Sequence, residues 1–377
     1  MYYFDNSATT QPNASVLETY QQVAMQCFAN PSSIHALGVT AQKLLTQARE
    51  QVAALLKVQA KEVYFTSSGT EANNWALQSV VPALHKMRPD ANRILISAIE
   101  HPSVSEQISL LQEQGFDVQF IPVQVNGSID ILAFEQLLDS KVLVVSSMAV
   151  NNEVGSVQPF VEMAALLKQY PQIIWHVDGV QAVTTQFDLL TLKRIDALTL
   201  SGHKFHASRG TGILMLKQRV SSQPFLYGGG QESGLRSSTE NLASIVATAK
   251  ALRLAVEMQD EVKLRLADYR QQIISVLEKH NWIVFAKENA SEHIICAAFP
   301  AIPGEVLVHA FEAQQVMVST TSACSSRKHQ QHHTLAAMSV PDKVSTSAIR
   351  ISMASTTTQA DVIALLDAIQ TVSEQFK

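Results

Sequence analysis

At 377 residues, with 46% hydrophobic and 16% charged side chains, the chain has the make-up of a well-buried globular protein. It exceeds one ordinary core, so two domains are expected. A net charge of −5 with no run of five or six like charges excludes a nucleic-acid surface as its main business. The longest apolar runs, such as Val142–Val145 and Ile294–Phe299, are strand-sized, so no membrane span is expected. The three cysteines Cys27, Cys296 and Cys324 form no CxxC pair. That sparse, odd count suits a reducing cytosol, and a cytoplasmic location is expected.

Asp5 to Pro12 reads as a polar, turn-rich segment ahead of a helix with Val16, Leu17, Tyr20, Val23, Ala24 and Cys27 on its apolar face. Asn30-Pro31 ends it, and a second helix is expected from about Val39 to Leu56. From Val63 the chain alternates. Strands are read at Val63–Thr66, Arg93–Ser97, Asp117–Pro122, Val142–Ser146 and Ile173–Val177, with helices from Glu71, Pro102, Ile129 and Pro159 between and after them. Strands Ala197–Leu200 and Gly212–Leu216 follow, joined by a short turn through Gly210 that makes the last one antiparallel. The pattern predicts an α/β fold, a mostly parallel sheet of about seven strands covered by helices. A helical stretch with breaks from Glu240 to Val276 then leads into a smaller α+β domain. Its strands are read near Trp282–Ala286, His293–Ala298 and Ala348–Ser352, its helices near Gly304–Gln314, Thr334–Met338 and Gln359–Phe376. The expected division is 15–255 and 256–377, joined by the N-terminal segment 1–14.

The informative chemistry lies at strand ends. Asp178 closes one strand and Lys204, between two histidines, follows the next, so both fall on the sheet edge where α/β proteins bind ligands. Pyridoxal phosphate (PLP) wants this pair: a lysine to hold it as a Schiff base and a carboxylate to keep its ring nitrogen protonated. Taken singly, each residue also reads as a solvated loop charge. Ser67-Ser68-Gly69-Thr70, between a strand and a helix, leaves N–H groups free for a phosphate, or is ordinary N-capping by Thr70. His101 follows a strand end and suits stacking on a flat ring or moving protons. Asn152 and Gln181 suit a phenolic oxygen. Several strand ends thus deliver groups fitted to one flat, anionic, aromatic ligand.

These segments resemble the cysteine desulfurases, a branch of the class V aminotransferase-type PLP enzymes. The resemblance rests on Asp5–Thr10, Ser68–Glu71, Glu100-His101, Val150–Gly155, His176–Asp178, Ser201–Lys204, Gly228–Thr239, Ser322–Cys324 and Ile349-Arg350, in the family's order over nearly the whole chain. It implies that Lys204 carries the cofactor, Asp178 pairs with the pyridine nitrogen and His101 stacks on the ring. It also implies that Asn152 and Gln181 address the ring oxygen. Gly69, Thr70, Ser201 and His203 would hold the phosphate, joined by Thr239 from the other subunit of a homodimer. Read alone, Ser237–Glu240 is a helix capping box. Arg350, with Asn152, would bind the substrate carboxylate.

Cys324 selects the reaction. It stands in a small polar segment with Arg327 and Lys328 beside it, cations that favour a nucleophilic thiolate. Cys27 and Cys296 read instead as packed thiols. The resemblance implies conversion of L-cysteine to L-alanine, with the sulfur held on Cys324 as a persulfide and passed to an acceptor protein. The sequence departs from the family at Ser238, where glycine is usual, and at Lys328–His333 after the cysteine. A serine is tolerated if its φ is negative; the second departure bears on acceptor docking. His329, His332 and His333 lack a cysteine or carboxylate at ligand spacing, so no metal is expected. The rival readings are an aminotransferase or selenocysteine lyase of the same fold, and an idle scaffold.

Overall fold

The computed structural model describes residues 1–321 and 333–377. Strand β1 (Tyr2–Tyr3) is followed by seven that form the central sheet: β2 (Val63–Thr66), β3 (Arg93–Ser97), β4 (Asp117–Ile121), β5 (Val142–Met148), β6 (Ile174–Asp178), β7 (Ala197–Ser201) and β8 (Gly212–Leu216). Their order is β2-β8-β7-β6-β5-β3-β4, and only β8 runs against the others. The sheet is mostly parallel and seven-stranded, as the alternation predicts.

Both faces of this sheet are apolar, because helices cover each. Along β3, Ile94 and Ile96 enter one hydrophobic cluster while Leu95 enters another. On β5 Val144 and Val145 divide the same way, and on β6 so do Ile174 and Trp175. This is the two-residue period of a strand expressed in two cores. All seven residues of β5 are buried, whereas edge strand β4 keeps only Ile121 fully covered. Helices Ala14–Gln26, Ala36–Leu56 and Leu242–Glu257 lie over one face; Gly69–Gln78 and Val80–Met87 lie over the other.

A second, four-stranded sheet follows, built from β9 (Ile283–Phe285), β10 (Ile294–Ala298), β12 (Ser319–Thr320) and β13 (Ala348–Ser352) in the antiparallel order β12-β13-β10-β9. The helices Gln259–Lys279, Gly304–Ala313 and Gln359–Gln375 bury it in its own hydrophobic cluster. The expected helical stretch from Glu240 is two helices, Leu242–Glu257 and Gln259–Lys279, meeting at Met258.

The N-terminal segment is more than a polar turn. Strand β1 pairs in parallel with β11 (Val316–Met317), Phe4 is fully buried in the second cluster, and Asp5 bridges to Ser352. Among the described residues no helix is long and apolar enough to cross a membrane.

Candidate active site

The carboxyl ends of β2, β3, β5, β6 and β7 open onto one cavity of about 350 Å³, closed from the other side by β13 and the N-terminal segment. Gly69, Thr70, His101, Asn152, Asp178, Gln181, Ser201, His203, Lys204 and Arg350 all line it. Of the remaining expected site residues, Thr239 is exposed and off this cavity. Cys324 lies outside the described residues, as does Lys328–His332.

Asp178 ends β6 and is 5% exposed. Its Oδ2 accepts from Asn73 Nδ2 at 2.7 Å and its Oδ1 from the Val180 N–H at 3.0 Å. Asn73 Nδ2 also donates to Ser103 Oγ at 2.8 Å, and Ser103 Oγ lies 2.8 Å from His101 Nδ1. The Ser103 backbone N–H donates to the same Nδ1 at 3.1 Å, so Nδ1 is an acceptor and the ring proton sits on Nε2. Burial lowers the His101 pKa, the charge of Asp178 opposes that shift and Lys204 adds to it. His203, with Nδ1 3.1 Å from Thr9 Oγ1, is held down to about 4 by burial, with Lys204 and Arg209 adding to the effect. Both imidazoles are therefore neutral at pH 7.

The helix Gly69–Gln78 begins at this edge. Its N-cap is Ser68, whose hydroxyl accepts from the Glu71 N–H at 3.1 Å, and not Thr70, which lies two residues further in and is exposed. The residues offer the same chemistry, and the sharp exit from β2 decides which is used. Two glycines shape the cradle. A Cβ on Gly69 would stand 3.1 Å from Ser201 Cβ, and one on Gly212 only 2.4 Å from the Ser68 carbonyl carbon. The second helix boundary also moves: the helix at Leu242 is capped by Asn241 Oδ1, so the expected box at Ser237–Glu240 does not form. Ser238 is not among the residues with positive φ, which meets the condition for a serine there.

Lys204 follows β7 in a short 3-10 turn, and its Nζ donates to the Ser7 and Ala8 carbonyls. Gln181 Nε2 donates to the same Ser7 carbonyl at 3.0 Å. Arg350, on β13, is 4% exposed, against the usual surface role of a strand arginine. Its Nη1 donates to the Asn152 carbonyl at 2.9 Å and its Nη2 to Asp5 Oδ1 at 2.8 Å.

Two further carboxyls stand here without a role in the sequence reading. Glu100 is 4% exposed, and burial, with the charge of Asp178 second, pushes its carboxyl well above the usual range. Glu153 lines the cavity and is pushed up to about 7 by burial, opposed by Arg350 and the Thr334 hydroxyl. Asn73 and Ser103 also went unassigned. The only available signal was spacing: Asn73 is four residues after Gly69, one helical turn along the same face. Cys296 is fully buried, and burial raises its thiol pKa, as a packed cysteine requires. Cys27 is only partly buried, packed against the first core from the helix C-cap.

The family model described as Aminotransferase class-V matches residues 2–365. A "NifS/IcsS protein homolog" of Lactobacillus delbrueckii subsp. bulgaricus is 42% identical, over 100% of this chain and 98% of its own. A "Cysteine desulfurase IscS" of Dictyoglomus turgidum is 32% identical, over 100% and 95%. A solved "NIFS-LIKE PROTEIN" superposes with a TM-score of 0.92 at 33% identity, covering 100% of this chain and 99% of that one. The chain belongs to the class V aminotransferase family and, within it, to the cysteine desulfurases of the NifS and IscS type.

Proposed function

We propose that the protein binds PLP in this cavity and uses it to convert L-cysteine to L-alanine, taking the sulfur onto Cys324 as a persulfide for delivery to an acceptor protein. The observation that carries the reading is the meeting of Asp178, Lys204, His101 and Arg350 on one cavity. The residues present fit the cofactor. The cradle that a Cβ on Gly69 would crowd lies at a helix N-terminus, beside Ser201 and His203, and suits a phosphate. Asp178, fixed by two donors, suits a protonated ring nitrogen.

When bound, PLP supplies an electron sink beside the amino-acid carbon. Arg350 binds the substrate carboxylate, a planar anion matched to its fork, and Asn152 stands next to it. Lys204, released to its neutral form, takes the Cα proton. His101 holds a transferable proton at Nε2. The Cys324 thiolate attacks the substrate sulfur: an S–S bond forms, the Cβ–S bond breaks, and its electron pair stays on carbon, which is protonated to the methyl of alanine. Cysteine and one thiol thus become alanine and one persulfide. Thr321, three positions before Cys324 in the sequence, lines the cavity. The exposed position of Thr239 suits delivery to a partner's phosphate site in a homodimer. We take the division at 15–255 and 256–377, with 1–14 joining the two, and a cytoplasmic location, as part of the same reading.

The test is Cys324→Ala. The variant should keep the cofactor's colour and fail to acquire label from radiolabelled cysteine. Alanine and sulfide formed at the full wild-type rate would rule out Cys324 as the nucleophile.

A further inference from the structure

The segment Asp5–Thr10 touches four site residues at once. Asp5 binds Arg350, the Ser7 carbonyl takes both Lys204 and Gln181, and Thr9 and Thr10 hold His203. The segment is itself fixed. Asn6 Nδ2 donates to the Ser352 carbonyl at 2.9 Å, the Ser7 N–H donates to Ser352 Oγ at 2.9 Å, and both Asn6 and Ser7 are buried. Ser352 stands two residues after Arg350 on β13, so one short stretch of strand carries both the arginine and the anchor of its partner.

We propose that Asp5 is the positioning residue that aims the Arg350 guanidinium at the carboxylate of the incoming amino acid. This rests on the desulfurase reading above and adds to it what sets the affinity for the carboxylate. The guanidinium is gripped at both ends of its fork, by Asp5 at Nη2 and by the Asn152 carbonyl at Nη1. Each Nη carries a second hydrogen, and Nε has no hydrogen-bond partner among the described residues, so donor capacity remains for a ligand. Asp5 is also the carboxylate that supplies the countercharge. Glu153, the other acid near Arg350, is held protonated by burial up to about pH 7. Without Asp5 the nearly buried arginine keeps a single neutral tether and can rotate toward Glu153, away from the direction a substrate needs. The same segment accepts the Lys204 ammonium on the Ser7 and Ala8 carbonyls, so carboxylate recognition and the lysine share one rigid support.

The test uses PLP-loaded holoenzyme and compares wild type with Asp5→Ala, Asp5→Asn and Asp5→Glu. The KM for L-cysteine is measured, with inhibition by 3-mercaptopropionate, which has thiol and carboxylate, and by cysteamine, which has thiol and amine only. In Asp5→Ala the KM and the 3-mercaptopropionate Ki should each rise roughly tenfold or more, the scale of one charge-assisted bond. The cysteamine Ki and the cofactor spectrum should stay within about twofold of wild type, and kcat should fall less than KM rises. Asp5→Asn, which keeps shape and loses charge, should fall between, and Asp5→Glu should recover part of the loss. Equal weakening of both inhibitors, or no change in either, would overturn the inference while the desulfurase reading stands. A wild-type holoenzyme that releases no alanine from cysteine would overturn that reading, and this inference with it.

Discussion

Glu153 offers a change whose sign is fixed by its surroundings. The fold raises this carboxyl from 4.5 to about 7, chiefly by burial, so the folded protein keeps a proton that the unfolded chain has already released. Below about pH 4.5 both states are protonated and the residue contributes nothing to pH dependence. Between there and pH 7 each increment of pH removes stability, and above pH 7 the full cost is present. The difference in pKa corresponds to roughly 3 kcal/mol. Water reaching a partly buried carboxylate reduces this, so about 1–3 kcal/mol is expected. Glu153→Gln preserves shape and cannot ionise. The variant and the wild type should melt together near pH 5, and the variant should melt higher at pH 8.5, by roughly 1–4 °C for a chain of this length. Thermal unfolding followed by circular dichroism at several pH values reads this directly. Parallel melting curves across the range, or a gap that opens toward acid, would refute the reasoning.

Other changes test the frame around the proposed cofactor site. Asn73→Ala removes the donor on Asp178 Oδ2 and the link to Ser103; a loss of roughly 1–3 kcal/mol in stability is expected, with weaker PLP binding measured by fluorescence titration. Little change in PLP affinity would mean that Asp178 needs no orientation. Gly212→Ala places a methyl 2.4 Å from the Ser68 backbone and should displace the turn that starts the Gly69–Gln78 helix. PLP retention through dialysis should fall at least tenfold relative to wild type, and unchanged retention would count against that turn as the phosphate cradle.

The central sheet was legible in the sequence because its strands are buried on both faces. Uninterrupted runs such as Val142–Val145 mark them, and β2, β3 and β8 start and stop where the apolar runs do. Most of the cavity-lining residues were legible for the same reason, since they end or follow such a run, whereas Arg350 lies inside β13. What the sequence did not disclose depends on contacts between distant segments. Asp5 and Arg350 are 345 positions apart, and nothing in the composition around Asp5 announces an ion pair. Glu100 and Glu153 look like ordinary loop acids, because burial is a property of the fold and not of the residue. Helix starts were misread where nearby hydroxyl and amide side chains offer equivalent caps, as at Ser68 beside Thr70 and at Asn241 after the Ser237–Glu240 box. There the path of the incoming chain, and not the residue type, makes the choice.

Lys204 as the attachment point of the cofactor is the claim on which the proposed function most directly depends. Protein incubated with PLP, reduced with borohydride and digested should carry the added pyridoxyl mass on the peptide containing Lys204. An absorbance band near ~420 nm should be present before reduction and missing in Lys204→Ala. Protein that stays colourless at saturating PLP, or that carries the label on any other lysine, would contradict it.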